Sequence, residues 1–286
     1  MIVQSAIVKK QICFLFVAAS SLLGAQTIPA SLAKSVTLYA GFDNGTDAST
    51  ARGDKRIYSA PSYKEQDKAT QGFGTVPVEI ARKEGLRGDA LRFTSRNTQA
   101  LFYKGQDNVA YRPANWNGAV SFWLRLDPER DLAPGFCDPI QITDKAYNDS
   151  AIWVDFTKDE KPRHFRLGIF GDLKSWNPKN IEPDKNPDFM GRLVVVRKPP
   201  FTRDRWTHVV VTWSGLNGAN PASSLFLDGV LAGTARNIKE PFQWDLARAA
   251  VRLGVNYVGL FDELAVFDRS LSEAEVGELH RAGRQK

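Results

Sequence analysis

The segment Gly118-Ala119-Val120-Ser121-Phe122-Trp123-Leu124-Arg125-Leu126 alternates strictly: Val120, Phe122, Leu124 and Leu126 fall on one side, Ser121, Trp123 and Arg125 on the other. A repeat of two is the signature of a β-strand with one buried face, and no helical winding gathers those four apolar side chains together. Trp206-Thr207-His208-Val209-Val210-Val211-Thr212-Trp213 is apolar or aromatic on both faces, which predicts a central strand. Ser224-Leu225-Phe226-Leu227 and Val230-Leu231-Ala232-Gly233 flank Asp228-Gly229. Asp-Gly tolerates the positive φ angles of a two-residue hairpin turn, so these runs are expected to pair antiparallel.

Further strands are predicted over residues 36–40, 90–94, 100–103, 152–156, 165–170, 193–196, 251–255 and 263–267, separated by clusters of Gly, Pro, Asn and Asp. Many short strands with almost no helix between them predict an all-β chain, a two-sheet antiparallel jelly-roll sandwich. The one clear helix is terminal. Ser272 and Glu275 form a capping box ahead of Ala274, Val276 and Leu279, with a stop near Gly283. Residues 128–150 and 171–200 are long, polar and Pro-rich, and read as loops of the kind that carry binding function.

Composition sets the outer limits. A chain of 286 residues that is 43% hydrophobic holds enough apolar mass for one large core. Two Cys exclude a disulfide-rich scaffold and a Cys-rich zinc module, and three His leave little room for a multi-His metal centre. Residues 1–33 read as a secretory signal: Lys9 and Lys10 precede an apolar run over residues 12–25, and Ser31-Leu32-Ala33 offers small residues at the cleavage positions. The apolar run is shorter than the roughly 20 residues of a membrane span. Cleavage after Ala25 is the alternative, with the bulky Leu23 against it. The expected organisation is thus a signal over 1–33 and one exported domain over 34–286, secreted, periplasmic or at the cell surface, with no transmembrane segment in the mature chain.

Loss of Lys9 and Lys10 lowers the formal charge from +6 to about +4. The remaining bases are interleaved with acids, so no phosphate-tracking stripe forms and no nucleic-acid partner is expected. Cys13 leaves with the signal. Cys137 then has no partner in the chain and reads as a small buried hydrophobe.

Five pieces in order carry a resemblance: Gly85-Leu86-Arg87-Gly88-Asp89-Ala90-Leu91-Arg92-Phe93, the Gly118 strand, the Trp206 strand, Leu225-Phe226-Leu227-Asp228-Gly229, and Gly259-Leu260-Phe261-Asp262-Glu263-Leu264-Ala265-Val266-Phe267 with Leu271-Ser272. Together they resemble the laminin-G-like, concanavalin A-like lectin/glucanase superfamily from about Val36 to Gly283. The resemblance implies two stacked sheets, one concave, and draws attention to calcium. In similar domains the first and last strands lie side by side and hold a structural ion, for which Asp43, Asn44 and Asp262 are the candidate ligands here. Calcium takes six to eight oxygens, more than these residues supply, and an Asx turn at Asp43 and Asn44 is the alternative. The chain departs from the family over Ala48-Ser49-Thr50-Ala51-Arg52-Gly53-Asp54.

The resemblance does not select an activity. Hydrolases of this fold carry Glu-x-Asp-x-(x)-Glu on one strand, and that motif is missing; of Asp155, Asp159 and Glu160, Asp155 alone falls on a strand. Gln141-Ile142-Thr143 stands where some lyases of the fold have Gln-Ile-His, without the histidine. His208 reads as a sandwich residue and His280 as solvated on the helix. A sugar binder needs less: an aromatic face to stack on a pyranose, with amides and carboxylates for its hydroxyls. Trp176 with Asn177 and Asn180, Trp116 with its Asn neighbours, and Tyr147 with Asn148 and Asp149 have that composition. The sequence therefore predicts a non-catalytic domain that binds a glycan or a cell-surface or extracellular protein, with Trp176 the foremost contact. A hydrolase or lyase with an unorthodox site and a structural domain of a cell-surface assembly are the alternatives.

Overall fold

The computed structural model describes residues 28–236 and 238–285. Among them the chain forms seventeen strands. They begin with β1 (Val36–Ala40), β2 (Thr50–Ala51), β3 (Ile57–Ala60), β4 (Thr70–Gln71), β5 (Val78–Ala81), β6 (Ala90–Phe93) and β7 (Ala100–Lys104). The middle of the chain gives β8 (Trp116–Arg125), β9 (Cys137–Thr143), β10 (Ala151–Phe156), β11 (Phe165–Phe170) and β12 (Leu193–Val196). The last five are β13 (Thr207–Leu216), β14 (Ala222–Leu227), β15 (Val230–Ala235), β16 (Ala250–Val255) and β17 (Gly259–Phe267).

The strands form two antiparallel sheets. One runs β15-β14-β13-β8-β17-β1-β2, with β6 also pairing with β17 and β5 with β6; the other runs β12-β11-β10-β9-β16-β7-β3-β4. Alternation decides what lies between them. Val120, Phe122 and Leu124 of β8 and Val209 and Val211 of β13 meet Ile140 and Ile142 of β9, Val154 of β10 and Leu253 of β16 in one core. Each such side chain, fully removed from water, contributes about 1.5–3 kcal/mol. Strand β13 lies inside its sheet between β14 and β8, as its two apolar faces require. Asp228 and Gly229 take φ of +50° and +81° in a two-residue turn between Leu227 and Val230.

The outer face of the nine-stranded sheet is closed by the terminal helix Glu273–Arg284, whose capping box forms as expected: Ser272 Oγ accepts from the Glu275 amide while the Glu275 carboxylate accepts from the Ser272 amide. Val276 and Leu279 pack on Ala119, Val210, Phe226 and Phe267. Leu32 belongs to the same cluster and is fully buried. The expected boundary between residues 33 and 34 therefore falls inside a packed segment, and the folded body reaches back at least to Ile28. The signal sequence itself lies for the most part outside the described residues. No helix among the described residues is long and apolar enough to cross a membrane.

Two expectations are corrected. Residues 128–150 are not one long loop, because they contain β9, an interior strand of the eight-stranded sheet. Pro139 and the flanking Asp hid its alternation. His280 is not solvated: its ring lies 5.6 Å from that of Trp123 and 5.7 Å from that of His208.

Candidate functional site

Among the described residues the outer face of the eight-stranded sheet is covered only in part, by the short helices Leu173–Trp176 and Pro187–Met190 packed on Ala151, Trp153 and Phe170 of β10 and β11. Beside them, over β9, β10, β11 and β16, a cavity of about 480 Å³ opens. Its floor follows from register. Asp155 stands opposite Arg166, Trp153 opposite Gln141, and Gln141 opposite Arg252, so four adjacent strands present polar side chains in line. Strict alternation would send Asp138 into the core with Ile140 and Ile142. A register shift between β9 and β10 turns it to the side of Gln141 instead, at a point where Pro139 has no amide to lose.

The floor is charged and buried. Asp138, Gln141, Asp155, Arg166 and Arg252 are all buried. Arg166 grips Asp155 with two parallel bonds, Nε to Oδ1 at 2.8 Å and Nη2 to Oδ2 at 2.5 Å. Such a bidentate pair retains its charges where a lone ion would not. Gln141 Nε2 donates to Asp138 Oδ2 at 2.5 Å. Burial, reinforced by the neighbouring Asp155 carboxylate, pushes the Asp138 carboxyl well above the usual carboxylate range. Burial raises the Asp155 carboxyl as well, but there the bonds and charge of Arg166 oppose it, so Asp138, which has no such partner, is the carboxyl that burial favours in the protonated form.

Aromatic rings complete the walls. The Trp153 indole lies flat because β11 has Gly168 opposite it, where a Cβ would come within 2.1 Å of the ring. Arg166 stacks 5.6 Å from the Trp153 ring and 5.0 Å from that of Phe136. Tyr63, Tyr147, Lys145 and Glu182 line the opening.

Of the residues expected to touch ligand, Tyr147 lies at this opening, 43% exposed. Trp176 does not. It is 3% exposed, packs on Phe170 and Phe189, and donates Nε1 to the Asn148 carbonyl at 2.9 Å. Its polar neighbours face away from a small satellite core, which is why composition misplaced it. Asn177 is buried and closes a turn, donating to the Ile181 carbonyl and accepting from the Ile181 amide. Asn180 is exposed at φ +49° in that turn and does not line the cavity. Trp116 is fully buried in the sandwich against Trp213, Phe242 and Trp244.

Asp43 and Asp262 come to one place but spend their oxygens on amides. Asp43 Oδ1 accepts from the Asp89 amide at 2.7 Å, and Asp262 accepts from the amides of Leu86 at 2.7 Å and Glu263 at 2.8 Å. Asn44 is exposed beside them. Among the described residues no group of three or more His, Cys, Asp or Glu is placed to hold a metal ion. With these oxygens bonded to amides, the donor set falls short of the six to eight oxygens that calcium takes.

The residues that build the cavity floor went largely unread in the sequence. Asp155, Arg166 and Arg252 each interrupt an apolar strand, and a charge in such a run is the signal that marks them.

The sequence matches the family described as the concanavalin A-like lectin/glucanases superfamily over residues 104–277. No curated protein sequence matches the chain. Among solved structures, domain 4 of AbnA, a GH43 extracellular arabinanase from Geobacillus stearothermophilus in complex with arabinotriose, is similar with TM-score 0.53 and 19% identity, covering 86% of this chain and 98% of that one. A tryptophan-to-alanine mutant of HCR/D is similar with TM-score 0.56 and 10% identity over 88% of this chain, which spans about half (53%) of that one. At these identities the likeness is one of fold.

Proposed function

The chain belongs to the concanavalin A-like lectin/glucanases superfamily, and from that premise we propose that it is a secreted, non-catalytic carbohydrate-binding domain whose ligand enters the cavity of the eight-stranded sheet. The observation that carries this reading is the cavity itself. It has the volume of a small-ligand site, aromatic walls at Trp153, Phe136 and Tyr147, and a floor of planar polar groups fixed by their own bonds. Planar amide, carboxylate and guanidinium groups hydrogen-bond vicinal hydroxyls in pairs, while aromatic faces cover the C–H surface of the ring. The arabinotriose complex of the similar arabinanase domain supports a saccharide as the ligand class.

Glycan-array screening followed by calorimetry tests the reading. Binding that is weakened by Tyr147→Ala with unchanged melting temperature supports it. An array on which the folded chain binds nothing overturns it.

The protonated Asp138 beside the Asp155 carboxylate favours one second reading, a hydrolase or lyase with Asp138 as proton donor. Release of reducing sugar or unsaturated product from a polysaccharide panel, abolished by Asp138→Asn, would replace the binding reading with this one.

A further inference from the structure

Four arginines are buried among the described residues: Arg163, Arg166, Arg192 and Arg252. Three have their guanidinium groups engaged, one by carbonyls and two by carboxylates. Arg163 donates to the carbonyls of Gly135, Thr157 and Ala133 at 2.8–3.0 Å. Arg166 is clamped on Asp155, and Arg192 is paired with Glu240. Arg252 is the exception. It is 1% exposed, its Nε donates to Gln66 Oε1 at 3.0 Å, and its guanidinium lies 4.8 Å from the Tyr63 ring. Among the described residues it has no carboxylate within salt-bridge distance and no acceptor for its four remaining N–H groups. Asp144, the acid whose field reaches it, is bonded to the Asp245 amide.

Leaving a buried guanidinium without a counter-charge is costly. Burial lowers its pKa only to about 10, so it stays charged at neutral pH. The groups around it lean the same way. Tyr63 and Trp153 line the same cavity, and the buried Tyr63 Oη and Trp153 Nε1 make no hydrogen bond, whereas both oxygens of Asp155 and one of Asp138 are already engaged. Around Arg252 the cavity thus retains donors, while the Asp155 carboxylate on its floor is committed to Arg166.

We propose that the cavity binds an acidic saccharide, with the ligand's carboxylate or sulfate seated on the Arg252 guanidinium and within reach of the Tyr63 hydroxyl and the Trp153 indole N–H. The proposal rests on the reading of this cavity as a glycan site and adds the ligand's charge class. A neutral saccharide would satisfy the donors only through hydroxyls; an anionic group supplies the missing charge and several acceptor oxygens at once.

The test uses calorimetry on the full chain with three probes: a hexuronic-acid trisaccharide, the same trisaccharide reduced at its carboxyl groups, and an otherwise uncharged trisaccharide made anionic by one sulfate ester. The expected result is binding of at least one acidic probe, with the carboxyl-reduced probe weaker by about 30-fold or more, the loss typical when a buried charge loses its partner. Which acidic probe binds separates carboxylate from sulfate recognition. Arg252→Gln is expected to abolish the preference for the acidic probe, the loss falling more heavily on the acidic probes than on the reduced one. Should that variant fail to fold, the wild-type contrast between the acidic and reduced probes decides alone. Equal affinity for acidic and reduced probes overturns the proposal and leaves the glycan reading standing. No binding of any of the three, in a chain that also binds nothing on the array, removes both.

Discussion

The two outward faces of the sandwich hold the same kinds of side chain and use them oppositely. On the nine-stranded sheet His208 is sealed at 0% exposure, its Nε2 sharing a hydrogen with Ser121 Oγ at 2.8 Å and its ring stacked 4.6 Å from Trp123 under the terminal helix. On the eight-stranded sheet Arg252 is almost as buried but borders a cavity, with no carboxylate within salt-bridge distance among the described residues. Beneath the helix His208 stays neutral, and its Nδ1, which makes no hydrogen bond, leaves one neutral group unpaired; beneath the cavity it is a charge that waits for something the chain does not supply. The difference separates side chains that stabilise from side chains that recognise, and it is open to measurement.

The largest expected effect is on the covered face. Trp123→Ala removes the ring on which both His208 and His280 stack, and is expected to destabilise the domain by about 3–5 kcal/mol, the range for aromatic truncation in a core. Denaturant unfolding measures this, and a loss below about 1 kcal/mol would mean that the helix does not seal the face, since full burial of such a ring is worth more than that.

Much of this contrast was legible before the structure. Alternation over 118–126, the Asp228-Gly229 turn and the Ser272 capping box gave the sandwich, its hairpin and its helix, because each is a local rule obeyed locally. The cavity was not legible for the converse reason. Asp138, Gln141, Asp155, Arg166 and Arg252 come from four strands, and their meeting depends on register and on one shift between β9 and β10. Trp176 failed as a contact because neighbouring Asn and Lys described its loop and not the side on which Phe170 and Phe189 lie. Tyr147 was placed correctly at an exposed loop, a position that composition does describe.

The next largest effect is a pH dependence of opposite sign on the two faces. Burial lowers the His208 pKa from 6.5 to about 3, so the folded state resists its protonation. Its contribution is present above pH 6.5 and is lost as pH falls from there towards about 3, on the order of a few kcal/mol in all. Asp138 is raised above its ordinary 3.8, so its contribution is present below that value and is lost as pH rises towards the folded-state value. His208→Gln is expected to flatten the acid limb of the stability profile, and Asp138→Asn the limb above pH 3.8. Asp262, on the covered face, is also raised by burial and by Glu263, so the single variants and not the wild-type curve carry the comparison. Profiles of both variants that parallel the wild type would refute the assignment.

A smaller effect is expected at the rim. Tyr147→Ala removes an exposed ring from the opening and is expected to weaken glycan binding by about 3- to 10-fold, in line with one aromatic contact. Its melting temperature is expected to match that of the wild type, in contrast to Trp123→Ala, and a loss of stability without loss of affinity would place Tyr147 among the structural residues.

The smallest expected effect is none at all, on adding or removing calcium. In a structural ion site the metal ties together strands that side chains alone leave loose. Here Asp43, just after β1, and Asp262, on β17, already tie the segment around Leu86 and Asp89 to both strands, through short bonds from the amides of Asp89 and Leu86 to their carboxylates. Burial and the adjacent Glu263 also push the Asp262 carboxyl well above its ordinary range, which favours the protonated form over the anion a calcium ion requires. Melting temperatures in chelator and in calcium are therefore expected to coincide. A rise of several degrees with calcium would show that these carboxylates exchange their amides for an ion, and would move this corner of the covered face from the finished side chains to those that await a ligand.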